Sequence, residues 1–419
     1  MNKNDKENKA TFHDLGIAPK IIEHLDRLKF TIPTPIQYKA IPLALEGKDL
    51  VGIAQTGTGK TLAFGIPMIQ MILEQRGIGL ILAPTRELAL QVEEALYEVG
   101  RPYRIKTSVL IGGSSINTQI RDLKNRPHII IATPGRLIDH IQRRTVKLFD
   151  VKFLVLDEAD RMLDMGFARD IDAILKVVPK KRQTMLFSAT MPPNIIKIAT
   201  QHMQLPVSVE IAPHGSTAEN IQQEVFIVGG ENKRRLLIKL LAQYPGLILI
   251  FSRTKHGAKK LNQHLRDRGV NSAEIHSNRT LAQRREALEG FRSGKYRVLV
   301  ATDIASRGID VTNIEVVINY DLPDETDAYV HRIGRTARAG KAGRAISFAT
   351  PDQGGSIRRI EKLIRMEMQV SEHPEILSEK FDYSLREPGR FNRGQGHRPA
   401  KSFGPRPKRR KRFGSWSGR

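Results

Sequence analysis

Asp49-Leu50-Val51-Gly52-Ile53-Ala54-Gln55-Thr56-Gly57-Thr58-Gly59-Lys60-Thr61 decides how this chain folds. Its first half is a short run apolar on both faces, which suits a strand of a parallel sheet covered by helices. Its second half is a glycine-rich loop leading into a helix, a device that offers backbone N–H groups to a phosphate. Gly57 and Gly59 permit a close backbone approach that a side chain would block. Lys60 can neutralise phosphate charge and Thr61 can reach Mg²⁺. Ala54 stands where the general pattern has glycine. Alone, such a loop can also be an ordinary turn, so the rest of the chain has to decide.

Working outward, further short apolar runs lie at 80–83, 108–111, 128–132, 153–156 and 183–187, separated by segments of helical period such as 86–99. A second round has strand candidates at 223–227, 247–251, 273–276, 297–301, 315–319 and 345–349. The expected fold is therefore α/β, with two parallel-sheet domains in tandem and ligands collecting at the carboxyl ends of the strands. The expected organisation is a flexible segment over 1–11, a first domain over 12–208 and a linker over 209–220 that holds Pro213 and Gly215. A second domain over 221–370 follows, and then a basic tail over 371–419. That tail carries Lys408-Arg409-Arg410-Lys411-Arg412 with Phe403, Phe413 and Trp416 interleaved, a composition that predicts disorder and cationic stacking on bases.

The run Val155-Leu156-Asp157-Glu158-Ala159-Asp160 puts two adjacent carboxylates at the end of an apolar stretch. An isolated acid pair there would read as a solvated turn or a helix cap. Paired with the upstream phosphate loop, it supplies a metal-holding carboxylate (Asp157) and a general base (Glu158) for nucleotide hydrolysis.

The chain has 419 residues, a formal net charge of +24 and no cysteine. The length suits two domains. The charge favours a polyanionic partner, with nucleic acid ahead of an anionic membrane surface. Lack of cysteine excludes disulfides and thiolate metal sites and agrees with a reducing cytosol. The first ten residues hold no apolar signal-peptide core, and no apolar stretch is long enough to span a bilayer, so a cytoplasmic, non-membrane protein is expected.

Nine motifs in sequence resemble the DEAD-box ATP-dependent RNA helicase family, in its bacterial, RhlE-like form, over roughly residues 12–349. They are Phe30-Thr31-Ile32-Pro33-Thr34-Pro35-Ile36-Gln37; the loop Ala54–Thr61; Pro84-Thr85-Arg86-Glu87-Leu88; Thr133-Pro134-Gly135-Arg136; and Asp157–Asp160. Then come Ser188-Ala189-Thr190; Phe251-Ser252-Arg253-Thr254; Ala301-Thr302-Asp303 with Arg307-Gly308-Ile309-Asp310; and His331–Arg338. The resemblance implies two RecA-like domains, ATP and Mg²⁺ as cofactors, and RNA, single-stranded or in short duplexes, as partner. A monomer is the default.

It also implies roles. ATP would be held by Phe30, Gln37, Thr56, Gly57, Thr58, Gly59, Lys60, Thr61, Gly308 and Asp310, with Mg²⁺ on Thr61 and Asp157. Catalysis would fall to Lys60, Asp157, Glu158, Arg335 and Arg338, the two arginines sharing a face if that segment is helical. Gln37 offers the donor and acceptor that adenine's edge needs. Phe30, and Phe12 upstream, read either as rings near that base or as core aromatics. Coupling between sites would run through Asp160, Ser188, Thr190 and His331. RNA contacts would come from Arg86, Gly113, Thr133, Gly135, Arg136, Arg253, Arg284 and Thr302, although any single surface arginine also reads as a solvated charge. Relatives carry Gln-x-x-Arg where this chain has Leu281-Ala282-Gln283-Arg284. The expected function is local unwinding or remodelling of RNA duplexes and ribonucleoproteins, in ribosome assembly or RNA decay. An RNA clamp or annealing protein with little ATP turnover is the competing reading.

Overall fold

The computed structural model describes residues 11–54, 57–211, 221–303, 311, 313–337 and 342–382. The first sheet holds β1 (Leu50–Ile53), β2 (Ile78–Leu82), β3 (Thr107–Leu110), β4 (Ile129–Ala132), β5 (Val151–Leu156), β6 (Gln183–Ser188) and β7 (Val207–Glu210). Its strand order is β3-β4-β2-β5-β6-β1-β7, and every pairing is parallel. The second sheet holds β8 (Ile221–Ile227), β9 (Leu247–Phe251), β10 (Ser272–Ile275), β11 (Val298–Ala301), β12 (Ile314–Asn319), β13 (Gly343–Ala349) and β14 (Gln369–Val370). Its order, β10-β11-β9-β12-β13-β8-β14, repeats the first strand for strand, again all parallel. One topology is thus used twice.

The pleat of β5 shows why such strands are apolar throughout. Phe153 and Val155 pack into one core with Phe64, Met185 and Phe187, while Leu154 and Leu156 enter a second core with Leu137, Met162 and Ile174 on the opposite face. A strand covered on both faces has no polar side to show. The second sheet is covered likewise by separate apolar clusters.

Three boundaries differ from expectation. β7 pairs Val209 with Gly52 and Glu210 with Ile53, so the first domain runs past 208 into the stretch expected to be linker. Only Val209 of that strand is buried, so its edge position hides the apolar signal that the inner strands show. The tail expected from 371 starts later: Ile376 is 6 % exposed, Glu379 N–H donates to Ile227 O, and Asp382 N–H donates to Pro351 O. Arg335 lies beyond the helix Thr326–Ile333, which Gly334 terminates, so it is not helical. Phe12 is a core residue at 2 % exposure, and Phe30 packs half-buried on the same core. The rest of the expected linker, 212–220, and the tail beyond 382 lie outside the described residues, as do Thr56, Gly308, Asp310 and Arg338. Among the described residues no helix is long and apolar enough to cross a membrane.

Candidate active site

The carboxyl ends of β5, β6 and β1 lie side by side, and the expected nucleotide residues leave the sheet there. Asp157 N–H donates to Leu82 O at 2.9 Å and Ala54 N–H to Ser188 O at 3.0 Å, so both segments keep sheet pairing up to the point where they turn away. The helix Lys60–Gln75 begins at Gly59, whose φ of +88° is left-handed. A Cβ on Gly59 would also meet Gln37 Nε2 at 2.4 Å, so both conformation and space demand glycine. Gln37 is buried: its Nε2 donates to Gly59 O at 3.0 Å and its Oε1 accepts from Thr34 N–H at 2.8 Å. The amide expected to read a base is therefore also a strut under the phosphate loop. Lys60, 6 % exposed, donates to Ala54 O at 2.9 Å, folding its ammonium back over the loop.

The acidic cluster stands against this lysine. Glu158 occupies the left-handed region (φ 50°, ψ 52°), unusual for a residue with a Cβ, and caps the helix Ala159–Asp164. Strain of roughly 1–3 kcal/mol attaches to such a conformation. It turns the chain sharply between Asp157 and Asp160. Burial would raise the Glu158 carboxyl, but Arg161, Lys60 and Arg335 outweigh it and hold the group below its usual range. Asp157 goes the other way, pushed up to about 6 by burial, with Lys60 only partly offsetting that and the Glu158 charge adding to it. Its Oδ1 is buried with no hydrogen-bond partner.

That orphaned oxygen suits a hard divalent cation such as Mg²⁺. No group of three or more His, Asp or Glu side chains among the described residues could hold a metal by itself.

Asp160 ties three segments together. Its Oδ2 accepts from Ala189 N–H (3.0 Å), Thr190 N–H (2.9 Å) and Thr190 Oγ1 (3.0 Å), and its Oδ1 accepts from Arg161 N–H (2.9 Å). Ser188 Oγ accepts from Asp160 N–H at 3.3 Å and donates to Thr190 O at 2.7 Å. Burial opposes the Asp160 charge, but Lys60, Thr190 and His331 keep its carboxyl low. His331 belongs to the second domain, as does Arg335, which is 3 % exposed. His331 is lowered to about 4 by burial and the Arg161 charge, with Asp160 pulling it up. Each domain thus sets the ionisation of the other's residues.

Within the second domain a buried network backs this face. Arg332 lies 4.9 Å over the Phe251 ring and grips Asp303 through Nε (2.6 Å) and Nη2 (2.8 Å). Its Nη1 reaches Asn319 Oδ1 and Asp321 O. Asp321 in turn accepts from Ser252 Oγ and Arg253 N–H. Arg253 and Thr302 are therefore positioned from the same scaffold as His331.

The expected RNA residues gather in two grooves that meet at Met165. One, of about 430 Å³, is lined by Arg86, Thr133, Gly135, Arg136 and Arg284 with Glu87, Phe167 and Ser277. The other, of about 400 Å³, is lined by Arg253 and Thr302 with Asp164 and Asp303. The Arg86 guanidinium rests on Gly112-Gly113, where a Cβ at Gly113 would meet Nη1 at 2.3 Å. Arg136 donates to Ser114 O and Gln119 Oε1. Arg284 departs from expectation. It lines the groove, but it is buried and its Nη2 donates to Glu87 Oε2 at 2.8 Å, an ion pair between the domains. Burial outweighs the attraction for both partners, raising Glu87 and lowering Arg284. Met165, Phe167 and Ser277 were not anticipated, since apolar and hydroxyl side chains outside a motif carry no sequence signal.

The DEAD/DEAH box helicase family pattern matches residues 34–198, and the helicase conserved C-terminal domain pattern matches 232–340. The DEAD-box ATP-dependent RNA helicase CshA of Bacillus cereus is 45 % identical over 370 residues, covering 88 % of this chain and 70 % of that protein. The ATP-dependent RNA helicase CshA of Listeria monocytogenes is 48 % identical over 366 residues, covering 87 % and 70 %. Among solved structures, S. cerevisiae Dbp5 bound to RNA and ADP BeF3 is similar with a TM-score of 0.77 and 31 % identity, covering 86 % of this chain and 95 % of that one. Mss116p bound to ssRNA and AMP-PNP gives a TM-score of 0.81 at 29 % identity, covering 89 % and 82 %. With two RecA-like sheets, the motifs in place and these relatives, the chain belongs to the DEAD-box family of ATP-dependent RNA helicases.

Proposed function

We propose that this protein separates short RNA duplexes locally by closing its two domains around ATP and RNA. The observation that carries the reading is the convergence of His331 and Arg335 of the second domain on Asp160 and Glu158 of the first. ATP would sit on the loop 54–61, its base near Gln37 and Phe30 and its ribose near Gly308 and Asp310. Thr61 and Asp157 would hold Mg²⁺, which supplies charge neutralisation on the phosphates. Lys60 would leave Ala54 O for the phosphates, Glu158 would take the proton of the attacking water, and Arg335, with Arg338, would stabilise charge on the transferred group.

Asp160, Ser188, Thr190 and His331 would report that closure to the groove side through Asp303 and Arg332. Arg86, Gly113, Thr133, Gly135 and Arg136 would grip phosphates and 2′-hydroxyls on one domain, and Arg253 and Thr302 on the other. Such contacts carry little sequence information. Arg284 acts chiefly as a tie between domains. The basic tail would add sequence-independent RNA affinity. Cytoplasmic RNA handling, in ribosome assembly or RNA decay, is the setting that fits a bacterial CshA-like core.

The test is strand separation of a short labelled RNA duplex with ATP and Mg²⁺. The expected result is separation that needs ATP, is absent for a DNA duplex and is lost in Glu158→Gln, whose turnover should fall ~10²–10⁴-fold while it still binds both ligands. RNA binding without stimulated turnover in the unmodified protein would favour the clamp reading. Deleting 387–419 should weaken RNA binding and flatten its salt dependence while RNA-saturated turnover survives.

A further inference from the structure

Arg161 and Arg332 are the largest side chains in the fully buried set, and Arg161, 2 % exposed, belongs to none of the roles assigned above. It lies three residues beyond Glu158 on the short helix Ala159–Asp164, whose N-cap is Glu158 itself. Its Nη1 donates to Glu158 Oε2 at 2.6 Å, with both side chains at 4 % exposure or less. Among the described residues nothing donates to the other oxygen, Oε1. A carboxylate held at one oxygen by a buried charge-assisted bond keeps a single orientation, and its remaining lone pairs point one way.

We propose that Arg161 is the positioning residue for hydrolysis, holding Glu158 by Oε2 so that Oε1 meets the attacking water. This rests on Glu158 being the general base. In the step, the water oxygen bonds to the γ-phosphorus and its proton passes to Oε1. The bond from the γ-phosphorus to the β–γ bridging oxygen breaks, leaving its electron pair on ADP. Arg161 gains and loses no proton. Its guanidinium also lies on the side where the second domain arrives, since its charge acts on His331. Both members of the pair lie in the first domain, three residues apart, so the hold on Glu158 needs no residue of the second domain.

The experiment compares Arg161→Met, Arg161→Lys and Glu158→Gln with the double variants Arg161→Met/Glu158→Gln and Arg161→Lys/Glu158→Gln. The readouts are the single-turnover hydrolysis rate at saturating RNA, the Kd values for a non-hydrolysable ATP analogue and for single-stranded RNA, and Tm. Arg161→Met should slow hydrolysis ~10²-fold with both Kd values within about threefold of the unmodified protein. Arg161→Lys should recover about tenfold of that loss, because a charge returns without the guanidinium's reach. In the Glu158→Gln background Arg161→Met should cost no more than about twofold, as there is no base left to hold.

Unchanged hydrolysis in Arg161→Met, equal slowing in both backgrounds, or ligand affinities that fall as far as the rate would overturn the proposal. If Arg161→Met shows no cooperative melting, Arg161→Lys in the two backgrounds decides: slowing only where Glu158 is present supports the proposal, and equal or no slowing overturns it. Undiminished turnover in Glu158→Gln would instead remove the base assignment. Inactive Glu158→Gln beside a fully active Arg161→Met would remove only the role of Arg161.

Discussion

The two places where the domains meet are built differently. On the nucleotide side, Asp157, Glu158, Asp160, Arg161 and Arg335 are all at 4 % exposure or less, and Asp160 alone accepts four hydrogen bonds. On the groove side, Arg253 is exposed, Arg86 and Arg136 are half-buried, and the one buried ion pair between the domains among the described residues is Glu87–Arg284. Burial outweighs attraction for both members of that tie. A buried ion pair with that balance contributes little net stability, although removing one partner is costly. The groove side therefore fixes the docking geometry without locking the domains shut. Under the proposed function, the nucleotide side, dense with charge, is where bound ligands would supply the energy of closure. Such an arrangement lets RNA and ATP each favour the same closed state.

The comparison breaks most sharply at Arg335. Arg335→Ala should lower RNA-saturated turnover by ~10³-fold or more while first-domain ATP binding survives, because the transferred phosphate loses a cation that the second domain supplies. Turnover within about tenfold of the unmodified protein would contradict a role for the second domain in chemistry.

Next is pH. His331 has a pKa of about 4 in the closed fold against 6.5 when free, so the open or unfolded chain takes up the extra proton. Its contribution is complete above 6.5 and is lost as pH falls toward about 4. Closure should weaken over that window, by at most on the order of 3 kcal/mol, and His331→Asn should flatten the profile, read as ATP-analogue affinity at saturating RNA.

Glu87→Gln leaves Arg284 buried without its counter-charge and should raise the RNA concentration for half-maximal ATPase about tenfold, leaving kcat close to unchanged. Arg253→Ala, at an exposed contact, should shift that concentration only about threefold and reduce its salt dependence. If Arg253→Ala proved the more damaging of the two, the groove would be held by surface charge and not by the Glu87–Arg284 tie.

Much of this could be read from the chain. Twelve of the fourteen strands could be read, and the ten inner ones announce themselves because both faces are buried, as at Phe153–Leu156. β7 and β14 were hidden: one is an edge strand with a single buried residue, the other is two residues long and exposed. Residues that the resemblance groups lie close together: Asp160 bonds Ser188 and Thr190, and the His331 charge acts on it. What stayed hidden is pairing across distance. Glu87 and Arg284 are 197 positions apart and in different domains, so neither looks unlike a groove residue until the sheets are placed. Arg161 is close in sequence to Glu158, but only its burial separates it from any helix-surface arginine. Gln37 shows the reverse: its motif signals nucleotide, and its bond to Gly59 O, 22 positions away, appears only in three dimensions.

The most direct test of shared closure is the Kd of a non-hydrolysable ATP analogue with and without saturating single-stranded RNA, in the unmodified protein and in Arg335→Ala. Two sites assembled from the same two halves should be coupled, with RNA tightening the analogue by about tenfold or more and the analogue tightening RNA by the same factor. Arg335→Ala should lose most of that coupling. Equal analogue affinity with and without RNA in the unmodified protein would contradict the account.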